Sequence, residues 1–91
     1  MDDTLIPVRN PDYKLEKFDN EFLLYSVTDT RAVYLNDTAF LVYGMCGTAQ
    51  TIGAIIATLE EAYPEQRVTI RADVTQAINQ LAEHGAIRFH D

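Results

Sequence analysis

The step from Leu35 to Asn36 constrains the fold of this chain more than any other feature. An alternating run, Arg31 to Leu35, ends there, and the following residues have the pattern of a helix start. Asn36 can cap that helix by accepting hydrogen bonds from backbone N–H groups, and Asp37 then lies near the positive end of the helix dipole. Leu35 and Phe40 occupy the positions of a hydrophobic staple around the cap. The sequence therefore predicts a sharp strand-to-helix corner.

Two further strands are predicted before this corner. Apolar and charged residues alternate from Tyr13, and a second run begins at Glu21 after Asp19 and Asn20. Asp and Asn tolerate positive φ, so these two residues predict a tight hairpin. A second turn over residues 28–30 leads into the run Arg31–Leu35. We expect a three-stranded antiparallel meander whose third strand has no sequence-adjacent partner on its far side.

Three helices are predicted after the corner. The first ends at Gly47, the second is capped by Thr51 and stopped by Pro64, and the third begins near Thr69 and ends just before Gly85. Apolar residues recur at helical spacing in the last two, namely Ile52, Ile55, Ile56 and Leu59, then Ile70, Val74, Ala77, Ile78 and Leu81. Gly85 suits the left-handed position after a helix end. The expected fold is α+β and winged-helix-like, a three-stranded antiparallel β-meander followed by three α-helices.

Length and patterning also suggest a domain division. A chain of 91 residues has room for one hydrophobic core. Residues 1–12 contain two prolines and no periodic pattern, so we expect a flexible lead-in. Residues 13–91 then form the domain, with a short last strand around Ile87 and Phe89.

The charge balance excludes several partners. Seven Lys plus Arg against fourteen Asp plus Glu give a formal net charge of −7. Such a surface repels phosphates, so nucleic acid and anionic membranes are poor partners. No apolar run is long enough to span a membrane, and the amino terminus has no basic and apolar leader pattern. We expect a cytoplasmic protein.

Residues capable of catalysis or metal binding are sparse. Cys46 is the single cysteine, and it reads as a small apolar residue near the end of the first helix. His84 and His90 lack the spacing of a metal site. No nucleophile with a base, no carboxylate pair and no phosphate-binding glycine loop is present. We expect no enzymatic activity, no metal and no cofactor.

The order and spacing of these motifs resemble the pyrroloquinoline-quinone biosynthesis protein D (PqqD) family, a recognition element of ribosomally made, modified peptides. The motifs are the Val33–Ala39 corner, the helix opening at Thr51, the pair Asp73 and Val74, and the end of the last helix at Gly85. The resemblance implies that residues 13–91 are a peptide-binding domain. It also implies two partners, a precursor peptide and a radical S-adenosylmethionine (SAM) enzyme to which the peptide is presented. Pyrroloquinoline quinone (PQQ) is one candidate pathway.

The resemblance also implies a site. The leader of the precursor would add antiparallel to the strand Arg31–Leu35 and lie against the third helix, because an open strand edge offers unpaired N–H and C=O groups. The side chains of Val33 and Leu35 are expected to face the core. The candidate peptide-binding residues are Arg31, Ala32, Val33, Tyr34, Leu35, Asp73, Ala77, Gln80, Leu81 and His84. The opposite flank of the helix remains an alternative wall, with Arg71, Thr75, Ile78 and Ala82.

Two other functions are compatible with the pattern. A winged-helix fold can regulate transcription by binding DNA, yet Thr69 to His84 holds one Arg and no Lys. An open strand edge can also serve a generic interaction or dimerisation domain. We expect a monomer or a weak homodimer, since dimerisation through the edge would block the peptide site.

Overall fold

The structure is a computed structural model that describes residues 2–28 and 30–90. Its strands are β1 (Ile6–Arg9), β2 (Tyr13–Phe18), β3 (Glu21–Ser26), β4 (Ala32–Leu35) and β5 (Ile87–His90). Its helices are α1 (Asp37–Met45), α2 (Ile52–Ala62) and α3 (Arg67–Glu83), and a single 3₁₀ turn, Pro64–Gln66, precedes α3. The architecture is α+β, which confirms the predicted fold class, and it includes a small second sheet.

The second, third and fourth strands form the predicted antiparallel meander, in the order β2-β3-β4. Phe18 pairs with Glu21, so Asp19 and Asn20 form a two-residue hairpin turn, and Asp19 adopts φ +52°. The second turn, over residues 28–30, includes a position that lies outside the described residues. β4 pairs with β3 from Phe22↔Leu35 to Tyr25↔Ala32, and within the described part of the chain it has no strand on its other side.

The amino-terminal segment differs from the flexible lead-in that the sequence predicts. β1 pairs antiparallel with β5, from Ile6↔His90 to Arg9↔Ile87. The carbonyls of Leu5 and Asp3 also accept hydrogen bonds from the amides of Ile52 and Gly53, both at 2.9 Å. The first amides of a helix have no partner within the helix, so these bonds satisfy donors of α2. Pairing with the far end of the chain therefore orders a segment whose own sequence carries no periodic signal.

The helix boundaries follow local capping chemistry. The Asn36 side chain accepts from the Ala39 amide at 2.8 Å, and the Thr51 hydroxyl accepts from the Ala54 amide at 3.1 Å, which confirms both predicted caps. α3 begins at Arg67, slightly before the expected Thr69, because the 3₁₀ turn leads directly into it. Gly85 follows α3 with φ +77°, the left-handed conformation predicted for it.

One hydrophobic core joins the meander to the helices. The apolar stripes predicted for α2 and α3 are buried throughout, as are the inward residues Leu24, Val33 and Leu35 of the meander. The Phe22 and Phe40 rings stack with centroids 3.9 Å apart, which fixes the start of β3 against α1. This packing holds β4 on one side of the molecule and α3 opposite its free edge.

Candidate functional site

The free edge of β4 presents the backbone groups of Ala32 and Tyr34. The Ser26 amide donates to the Arg31 carbonyl at 2.8 Å, so these opposed residues form a hydrogen-bonded pair. Such pairs alternate along an antiparallel ladder, and the next ones are Leu24↔Val33 and then Phe22↔Leu35. The N–H and C=O groups of the two intervening residues of β4 therefore point away from β3. These are the groups that an added strand would bind.

The two outer edges of the meander, β2 and β4, differ in how strongly their side chains discourage pairing with another strand. Three of the six residues of β2 are charged, Lys14, Glu16 and Lys17, and all three are exposed. Charged side chains along an edge discourage pairing with another strand. β4 reads Ala-Val-Tyr-Leu and carries neither a charge nor a proline. β4 is therefore the edge better suited to strand addition.

A groove of about 750 Å³ separates the end of β4 from α3. Tyr34 and Asn36 form one wall. The other wall is the polar face of α3, with Ala72, Thr75, Gln76, Asn79, Gln80 and Glu83. From Ala72 to Glu83 this wall is about 17 Å long at 1.5 Å per helical residue, the length of roughly five residues of extended peptide.

A smaller cavity of about 320 Å³ continues from this groove beneath the start of α1. It shares Asn36, Gln76 and Gln80 with the groove and adds Asp73 and Ala77. Asp73 is exposed, whereas Ala77 is 4% exposed and belongs to the core. Three of the four residues of the flank preferred from the sequence, Asp73, Ala77 and Gln80, thus line the smaller cavity, and of these only Gln80 also lines the main groove.

Two other candidates lie away from both cavities. Leu81 is fully buried in the core. His84 is the residue at the carboxyl end of α3, and its carbonyl accepts a hydrogen bond from the Tyr13 hydroxyl. Neither residue lines the groove, so their positions support packing and helix termination.

The alternative flank of α3 contributes little to the groove. Of its four residues only Thr75 lines the wall. Ile78 is fully buried, and Arg71 forms an ion pair with Asp3 at 3.0 Å. The structure therefore brings neither predicted flank to β4 as a whole. The stripe between the two flanks faces the strand instead.

On β4 the side chains lie as the alternation of the sequence predicts. Val33 and Leu35 are buried, whereas Ala32 is exposed and Tyr34 is 64% exposed. Arg31 is exposed just before the strand, away from the groove. Tyr34 also borders a cavity of about 500 Å³ that leads toward Asn20 and Glu21. The Tyr34 ring is thus available on the outer face of the sheet.

The connection into β4 is tied to the beginning of β2. The Asp12 carboxylate accepts hydrogen bonds from the Thr28 and Ser26 hydroxyls, and these bonds lower the pKa of Asp12 below its usual value. The Val27 amide also donates to the Asp12 carbonyl at 3.1 Å. These contacts fix the end of β3, from which the chain returns to form the open edge.

The charged residues that line the groove and its neighbouring cavities share one sign. Among the described residues they are Glu21, Asp37, Asp73 and Glu83. No positively charged side chain of the described chain lines these three cavities. The side chains that line these cavities therefore contribute only negative charge.

Cys46 has the properties of a core residue. Its side chain is fully buried, and burial raises the pKa of the thiol to about 12. A neutral thiol is a weak nucleophile. Within residues 2–28 and 30–90 there is no cluster of His, Cys, Asp and Glu able to hold a metal ion. In the same residues no helix has the length and apolar character needed to cross a bilayer.

Several residues of the site are absent from the candidates that the sequence provides. They are Asn36, Ala72, Thr75, Gln76, Asn79 and Glu83. From the sequence, Asn36 is only a helix cap, and Thr75 is only part of the alternative flank. The signal for the others is present, since Gln76, Asn79 and Glu83 recur at i, i+3 and i+7 on the polar face of α3. That pattern is indistinguishable from a solvated helix face until the sheet is placed.

A comparison with protein families gives one match. Residues 21–87 match the family model described as Coenzyme PQQ synthesis protein D (PqqD). The matched segment contains β3, β4 and all three helices, and therefore the open edge and the groove. No curated protein and no solved structure matches the chain. The family match confirms the resemblance that the sequence motifs indicate.

Proposed function

The chain belongs to the coenzyme PQQ synthesis protein D family, and we propose that it is a peptide-binding chaperone of PQQ biosynthesis or a related peptide-modification pathway. It captures the leader of a precursor peptide by strand addition to β4. It then presents the precursor to a modifying enzyme of the radical SAM type. The chain contributes binding and orientation, while the enzyme performs the chemistry.

One observation carries this proposal, the open edge of β4 facing α3 across a groove. Ala32 and Tyr34 each offer an N–H donor and a C=O acceptor along that edge. An extended peptide that pairs with them would place alternate side chains toward α3. Main-chain bonds then supply affinity that is independent of sequence, and the residues of the α3 wall select the side chains.

A DNA-binding role is less well supported. α3 carries two basic residues, Arg67 and Arg71, and the second is paired with Asp3. The charged side chains that line the cavities around β4 are all carboxylates, which repel a phosphate backbone. A gel shift at low salt tests this alternative, and we expect no retardation of duplex DNA.

Dimerisation through β4 is the second alternative. Two copies pairing along this edge would bring together two chains of formal charge −7. They would also cover the groups that the peptide needs. We expect sedimentation to find a monomer at micromolar concentration, and an edge-paired dimer that excludes peptide would overturn the proposal.

The proposal is tested by titrating the isotope-labelled chain with a synthetic precursor, chosen from short reading frames beside its gene. Amide shifts should concentrate at Ala32, Tyr34 and the groove face of α3. Shifts confined to α2 would refute strand addition. The affinity should lie on the order of micromolar to nanomolar, the range of a carrier that also releases its cargo.

A second experiment separates presentation from chemistry. The chain mixed with the precursor alone should leave the mass of the peptide unchanged. When a radical SAM enzyme of the same pathway is added, the modification should depend on the chain. A mass change without the enzyme, or equal turnover without the chain, would contradict the chaperone role.

A further inference from the structure

We infer that the peptide which adds to β4 carries basic side chains where it passes the groove, so that its recognition combines strand pairing with charge. This inference rests on the proposed function, because the binding site is defined by strand addition to the open edge of β4 and not by the carboxylates. What it adds is the chemical class of the ligand, an extended segment with Lys or Arg at alternate positions.

The inward side chains of an added strand would meet carboxylates of α3 that have no positively charged partner. Glu83 lines the main groove, and Asp73 lines the cavity that continues from it. Both carboxylates are on exposed residues, and neither makes an ion pair or hydrogen bond within the described chain. They are available to a ligand without breaking an existing contact. A cationic side chain on the peptide is the group that complements them.

The remaining lining is polar or small rather than apolar. Gln76, Asn79 and Gln80 present amides, while Ala72 and Thr75 leave room beside them. Such a surface suits long polar side chains better than bulky apolar ones, since an apolar group would bury these amides without partners. A Lys or Arg side chain can lie along the small residues with its stem and extend its charged group to a carboxylate.

The cavity on the outer side of the β4 edge is also bordered by negatively charged residues. Asp37 and Glu21 border the cavity beyond Tyr34. The basic residue of this strand region, Arg31, lies before β4 and outside these cavities. An acidic peptide would therefore meet repulsion on both faces near Tyr34, whereas a basic one would be attracted on both.

Selection from a random library of 12-residue peptides displayed on phage tests the inference and does not require the natural ligand. Selection against the intact chain should enrich Lys and Arg at alternate positions. The same selection is run against the double variant Asp73→Asn/Glu83→Gln. Its matched control is Glu61→Gln/Glu65→Gln, which removes the same charge from exposed residues outside the groove.

The best basic peptide should bind the groove variant about fivefold more weakly, since exposed ion pairs are individually modest. Binding to the control variant should change by less than twofold. Raising the salt from low to physiological concentration should weaken binding to the wild-type chain and have a smaller effect on the groove variant. Thermal melts of both variants should match that of the wild type.

The outcomes separate this inference from the proposed function. Peptides that shift the Ala32 and Tyr34 amides but show no basic enrichment would overturn the charge inference and leave strand addition intact. Selected peptides that leave these amides unshifted, or shift only the amides of α2, would overturn both.

Discussion

The side-chain nitrogen of Gln80 lies 3.5 Å from the Tyr34 carbonyl oxygen, across the groove between α3 and β4. This distance is long for an N–H···O hydrogen bond, so the contact is weak. The Tyr34 carbonyl points away from β3, past the edge of the sheet, and is one of the acceptors that an added strand requires. A carbonyl has two lone pairs, and Gln80 therefore competes with a peptide donor without blocking it.

Replacing Gln80 by Ala should remove this competitor. We expect peptide affinity to stay unchanged or to rise by up to about threefold, a free-energy change within about 0.7 kcal/mol. Stability should stay within about 0.5 kcal/mol, because the contact is exposed. Calorimetric titration and a urea melt measure the two quantities. A tenfold loss of affinity would mean that the side-chain amide of Gln80 itself binds the peptide.

Proline substitutions along β4 distinguish its outer edge from its inner one. Ala32→Pro removes an outward N–H, and proline is tolerated on edge strands where the missing donor faced solvent. The fold should therefore survive, while peptide binding falls by tenfold or more. Circular dichroism and an affinity titration check the two halves of this expectation.

Val33→Pro is the matched comparison. The Val33 N–H faces β3 and its side chain is buried, so the change should lower the free energy of unfolding by at least about 1 kcal/mol. If the two variants proved equally destabilised, the assignment of outward groups to Ala32 and Tyr34 would be wrong.

Much of the fold could be predicted because its signals are local. Asn36, Thr51 and Gly85 each specify a helix end through their own backbone and side-chain chemistry, and all three do so in the structure. The buried stripes of α2 and α3 follow from helical spacing alone. These features depend on residues only a few positions apart.

The features that sequence reasoning missed depend on distant partners. β1 is ordered by pairing with β5, at the opposite end of the chain, and Pro7 is buried there instead of marking a loop. On α3 the sequence distinguishes the apolar face from the polar one. It does not specify which part of the polar face lies opposite β4, because the packing of α3 on α1 and α2 determines that rotation.

A bulky residue in the groove should block the peptide. Ala72 is exposed on the groove wall, so Ala72→Trp can fill the space without entering the core. We expect at least a tenfold loss of affinity and a melting temperature within a few degrees of the wild type. Fluorescence titration with a labelled peptide and a thermal melt would measure both.

Ala77→Trp provides the contrast, although the sequence alone suggests Ala77 as a cleft residue. Ala77 is 4% exposed, and overpacking a core position costs about 1–3 kcal/mol. This variant should lose stability first and binding as a consequence. Unchanged affinity in a folded Ala72→Trp variant would place the peptide elsewhere on the surface.

The buried thiol of Cys46 should be protected from reagents and should make the fold sensitive to alkali. Burial raises its pKa from 9.0 to about 12, so at pH 8 the thiolate is much rarer in the folded chain than in the unfolded one. Iodoacetamide should label the native protein far more slowly than the protein in denaturant. Rapid labelling of the native wild type at pH 8 would contradict the buried position of the thiol.

Below pH 9 the Cys46 thiol is protonated in both the folded and the unfolded chain. Between 9 and about 12 only the unfolded chain ionises, so stability falls as the pH rises through this window. Cys46→Ala removes this thiol, so its urea midpoint should fall less between pH 8 and pH 10 than the urea midpoint of the wild type.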